Sequence, residues 1–126
     1  MIYKITTDTP LEVVKSELEA HAKKNGFGVL GSYEFKKILE SKGFPIEKDI
    51  TLYEVCNPSE AQKFLTAIPA VSVYLPCRVS VYEENGKTVL ATIDLNDILD
   101  SLDVDSALKE NMKAIFSHMI DLLKSW

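Results

Sequence analysis

Two thiols are the side chains in this sequence best suited to chemistry. Cys56 stands two residues before a proline in EVCNPSEAQ, and Cys77 directly follows one in YLPCRVSVY. A thiol preceding a helix lies near that helix's unpaired N–H groups, which can stabilise a thiolate, so Cys56 has the more favourable electrostatics for a nucleophile or soft-metal ligand. Cys77 alternates with Val73, Leu75, Val79 and Val81, as a small apolar core residue does. Two cysteines could hold a soft metal if a third ligand converged on them, but their spacing names no metal and no cofactor.

Other chemistry has less to stand on. His21 and His118 have no second ligand at helical spacing. No Gly-x-Ser-x-Gly elbow, phosphate loop or dinucleotide fingerprint occurs. The aspartates of DLNDILDSLDVD lack the spacing and central glycine of a calcium loop and read as a solvated helix junction. Met112 and Met119 are at core spacing.

The bulk properties narrow the field further. The 126 residues suit one domain with a core that needs no disulfide or metal. A formal charge of −5, with Arg78 the sole arginine, argues against nucleic acid as a partner. No apolar run reaches the ~20 residues of a membrane span, and the first ten residues read as a strand rather than a signal peptide. The expectation is a cytoplasmic protein with reduced thiols and no membrane partner.

The elements that must position the thiols follow from periodicity and punctuation. IYKITT reads as a strand. TPLEVVKSELEAHAKKNG reads as a helix, with Thr9 as cap, Pro10 in the first position, Glu12 closing a capping box, and Leu11, Val14, Leu18 and Ala22 as the buried stripe. FGVLGSYEF and DITLYEV are strands flanking a short helix, FKKILESKG. Asn57 then caps a helix with Pro58 at its first position, leaving Cys56 just outside. VSVYLPCRVSVYEENGKTVLATID is a strand, an Asn85-Gly86 type I′ turn and a return strand. DVDSALKENMKAIFSHMIDLLKSW is a long amphipathic helix with Val104, Leu108, Met112, Ile115, Met119 and Leu122 on one face.

A two-residue turn fixes the hairpin register. Glu84 pairs with Lys87, Tyr82 with Val89, Val81 with Leu90, Val79 with Thr92, Arg78 with Ile93 and Cys77 with Asp94. Thr92 and Asp94 would then join Cys77, and the carboxylate would raise the thiol's pKa. Pro76 cannot donate to a ladder, so an edge or a bulge is expected there.

TTDTPLEVVKSELEAHAKKNGFGVL, CNPSEAQKFL and VSVYLPCRVSVYEENGKTVLATID together resemble the family called domain of unknown function 302, over about residues 3–94, with a helical extension over about 96–126. The resemblance implies one α+β domain: a twisted, mainly antiparallel sheet of the TATA-binding-protein-like class, with helices on one face and a long C-terminal helix. It also implies a homodimer, and no reaction. It carries Cys56, Asn57, Pro58, Leu75, Pro76 and Cys77 over as a candidate site, to which the register adds Thr92 and Asp94. Three functions compete: binding of a small molecule or soft metal near Cys56 and Cys77; a homodimeric scaffold joined through Tyr74, Tyr82, Val89, Ala91, Ile93 and the terminal helix; and a thiol enzyme using Cys56.

Overall fold

In a computed structural model, which describes residues 1–126, five strands form one antiparallel sheet. These are β1 (Ile2–Thr7), β2 (Gly28–Glu34), β3 (Thr51–Cys56), β4 (Cys77–Glu84) and β5 (Lys87–Ile93), and their spatial order is β1-β5-β4-β3-β2. The helices are α1 (Leu11–Lys24), α2 (Phe35–Ser41), α3 (Pro58–Ala67), α4 (Leu95–Leu99) and α5 (Ser106–Leu123), all on one face of the sheet.

Strand alternation accounts for the core. Val55, Val79, Val81 and Leu90 point to the helix-covered face, where they meet Val14, Leu18 and Ala22 of α1 and Leu108, Met112, Ile115, Met119 and Leu122 of α5. The two stripes are thus buried as their spacing predicts, except that Leu11 is half-buried and Val104, also half-buried, lies before α5 begins. The Asn85-Gly86 turn has φ of 54° and 76°, the left-handed values a type I′ turn requires. Glu84–Lys87, Tyr82–Val89 and Val81–Leu90 pair as the turn dictates.

Four expectations are corrected. The β4–β5 ladder ends at Ser80–Ala91, so none of Val79–Thr92, Arg78–Ile93 and Cys77–Asp94 is a ladder pair. Beyond that point β4 stays with β3 (Val55–Cys77) while β5 stays with β1 (Ile2–Ile93). Residues 71–74 are not strand but lie in a 3₁₀ helix, Pro69–Tyr74, which leaves Val73 exposed and removes Tyr74 from the sheet. Thr9 does not cap α1; its amide and hydroxyl are engaged by the Thr7 hydroxyl, and Pro10 occupies the cap position without a side-chain bond. The junction before α5 contains a further short helix, α4, capped by Asp94 at the Asn96 amide, while Asp105 caps α5 at the Leu108 amide.

Candidate functional site

The divergence of β4 and β5 opens a cavity of about 50 Å³ at one end of the sheet. Its floor is Cys77 and Thr92, its roof is Met112, Ile115, Phe116 and Met119 of α5, and its sides are Phe64, Val71, Tyr74, Leu75 and Pro76 with Leu95 and Ile98 of α4. The lining is overwhelmingly apolar. Tyr74 and Ile93, 40% and 46% exposed, stand at its open side. The space suffices for roughly three to five water-sized groups, a small ring or a short chain.

Thr92 closes the gap between the strands. Its hydroxyl donates to the Arg78 carbonyl at 2.7 Å, supplying by side chain the bond that the ladder no longer makes. The Arg78 guanidinium alternates away from the helices and pairs with Glu54 at 3.6 Å on the uncovered face. The Glu54 carboxylate also acts on the neighbouring Tyr33 hydroxyl and raises the Tyr33 pKa above its ordinary value.

A second, smaller hollow of about 20 Å³ adjoins the first and shares Phe64, Leu75, Pro76, Cys77 and Ile115 with it. Cys56, Asn57 and Glu60 also line it, with Phe27, Val55 and Ala61, so both cysteines border one space. Asn57 sits here because it caps α3: its Oδ1 accepts from the Glu60 amide at 3.2 Å and from the Ser59 hydroxyl at 3.0 Å. Gly26, with φ of 87°, brings the backbone close beneath the Asn57 amide, where a Cβ would lie 3.4 Å from Nδ2. Glu60 Oε1 pairs with Lys63 at 3.0 Å, whereas Glu60 Oε2 is enclosed and has no donor.

The thiol electrostatics run opposite to those of a nucleophile. Burial pushes Cys77 up to about 11, with a further rise from neighbouring Cys56 and a partial offset from Arg78. Burial also raises Cys56, so its place before α3 does not yield a low-pKa thiolate. Asp94 is not a cause of either shift; its carboxylate is turned to the α4 N-terminus. No three His, Cys, Asp or Glu side chains converge to hold a metal ion, so the two cysteines find no third ligand of that kind.

Of the eight residues expected at a site, Cys56, Asn57, Leu75, Pro76, Cys77 and Thr92 thus border the paired hollows, and Pro58 and Asp94 do not. The α5 side chains and Glu60 complete the walls although the sequence analysis did not place them there. Their helical stripe was visible, but a stripe does not say whether its partner surface is packed solid or hollow. A separate polar cleft is lined by Glu12, Lys15, Glu34, Lys36, Lys37 and Asp49. There Lys15, 15% exposed, is neutralised by Asp49 at 3.3 Å, Glu34 at 3.8 Å and Glu12 at 3.9 Å, which ties α1 to β2 and to the segment before β3.

The model of the family described as domain of unknown function DUF302 matches residues 3–126. A crystal structure of an uncharacterised conserved DUF302 protein from Bacillus stearothermophilus superposes with a TM-score of 0.87 at 31% identity, covering 97% of this chain and 94% of that one. No curated protein matches the chain.

Proposed function

The chain belongs to the DUF302 family, and from that premise we propose that it binds a small apolar molecule in the cavity between α5 and the parted ends of β4 and β5. The observation that carries this reading is the cavity itself, an apolar space walled by six separate elements, with the exposed Tyr74 and Ile93 in its lining. Interiors are otherwise packed to crystal-like density, and concave apolar sites with a few polar groups are where small ligands bind. The raised thiol pKa values and the absence of a third ligand for Cys56 and Cys77 favour binding over thiol catalysis or soft-metal capture. The test is a thermal-shift and NMR titration with benzene-sized compounds. Binding raises the unfolding midpoint and shifts the Met112 and Met119 methyl resonances. No midpoint change and no methyl shift at millimolar ligand removes the reading.

A second reading, assembly of two copies through the helix-free sheet face, is favoured by the exposed pair Ile2 and Ile93, 66% and 46% exposed, and by Tyr33 at 43%. Val89 and Ala91 are 4% and 7% exposed in the single chain and contribute little to such a surface. Sedimentation at micromolar concentration decides it: a monomer removes this reading and leaves the first intact.

A further inference from the structure

Resting on the cavity reading, the geometry points to the class of ligand: a neutral aromatic ring, in preference to a saturated ring of the same size. The lining carries the groups that tell the two apart. Phe64, Tyr74 and Phe116 bring aromatic side chains to the space, and Cys77, Met112 and Met119 bring sulfur-bearing ones. The chain has only three methionines, and the two beyond Met1 both stand in this roof. A saturated ring meets such walls through dispersion and the loss of water contact alone. An aromatic ring gains, in addition, edge-to-face attraction from the other rings and contact of its edge with thioether sulfur. Methionine is also flexible, so the roof can settle onto a flat body without rebuilding the fold.

The Phe116 ring has its orientation set by the protein. It is 4% exposed and crosses the Tyr3 ring at 81°, with centroids 6.1 Å apart. Tyr3 is in turn the ladder partner of Thr92, so one aromatic contact links the roof to the strand that forms the floor. The lining offers no free charge. Arg78 is its one charged residue, and the guanidinium is paired with Glu54 at 3.6 Å. The Thr92 hydroxyl has donated its proton to the Arg78 carbonyl. A charged substituent would therefore lose its water without gaining a partner.

Titration of the intact chain with toluene, methylcyclohexane, benzoate and benzylamine tests this, with the Ile98 and Ile115 methyl resonances as reporters. Toluene is expected to bind about fivefold or more tighter than methylcyclohexane, although the saturated ring is the more hydrophobic, and both charged probes bind more weakly than toluene. Replacing methionine by norleucine exchanges each sulfur for a methylene and alters only Met1 besides the two roof residues. In that protein the preference for toluene is expected to shrink by about threefold or more. Methylcyclohexane equal to or tighter than toluene, or either charged probe tightest, overturns the inference and leaves the cavity reading standing. A preference that survives norleucine unchanged belongs to ring thickness and overturns it too. If the norleucine protein does not fold, the Met112 and Met119 methyls of the unaltered chain decide: toluene displaces both by its ring current, and their failure to move with toluene bound overturns the inference. Failure of all four probes to bind removes the cavity reading and this inference with it.

Discussion

Thr92 and Arg78 are joined by a side-chain-to-backbone hydrogen bond of 2.7 Å at the place where β4 and β5 stop pairing. The hydroxyl holds the strand ends together without closing the space above them, so it is a structural condition of the cavity. Thr92→Val keeps the shape and removes the donor. It is expected to destabilise the protein by about 1 kcal/mol, measured by urea unfolding, because the Arg78 carbonyl loses its partner. An unchanged midpoint shows that the bond does not hold this junction.

Thr51 predicts the opposite sign for the same substitution. It is 1% exposed on the core face of β3, and its hydroxyl has no partner. Thr51→Val exchanges a buried, unsatisfied hydroxyl for a methyl of similar volume. Stability is expected to rise by about 1–2 kcal/mol in the same urea assay. A loss of stability would show that the hydroxyl is bonded after all.

Cys77 makes stability depend on pH on the alkaline side. Folding raises its pKa from 9.0 to about 11, chiefly by burial, so the folded state binds the proton more tightly than the unfolded state. The contribution is full below pH 9 and is lost as pH rises from about 9 to about 11, at most about 2–3 kcal/mol. Cys77→Ala should flatten this stretch of the stability–pH curve. In the folded protein at pH 8, Cys77 should react with a disulfide reagent about 100-fold more slowly than a free thiol, from its smaller thiolate fraction. Rapid reaction of Cys77 with a flat curve would contradict the burial.

His21 and Trp126 stack with ring centroids 4.0 Å apart and planes within 5°, while Ser125 contacts His21 Nδ1 at 2.7 Å and Trp126 Nε1 donates to Glu17 at 3.2 Å. These contacts fasten the segment after α5 to α1. His21→Ala is expected to cost about 0.5–1.5 kcal/mol. It should also shift the emission of the single tryptophan to the red as the indole becomes wetter. Unaltered emission would show that the ring is held by other contacts.

Much of the fold was legible because its signals are local. The Asn85-Gly86 turn fixes the hairpin register near itself, Asn57-Pro58 marks the start of α3, and the stripes of α1 and α5 declare their buried faces. What escaped depends on competition between distant segments. Arg78 and Ile93 part because each strand has a second partner, β3 on one side and β1 on the other, and a hairpin rule knows of neither. Val73 and Tyr74 alternate like a strand, yet Pro69 and Pro76 bracket a 3₁₀ helix in which alternation has no meaning. The two cysteines do border one space, and Asp94 does not, because capping the new helix α4 claimed its carboxylate.

The strand order carries a consequence for how the molecule is made. β1 and β2 lie at opposite edges, and the hairpin of β4 and β5 is the wedge between β1 and β3. Ile2 must wait for Ile93 before it has a partner. A chain emerging from the ribosome can pair β2 with β3, but its first strand stays unmatched until three quarters of the polypeptide has been synthesised. Closure of the sheet is therefore a late event governed by long-range encounter, and until then β1 is an open edge that other nascent chains can capture.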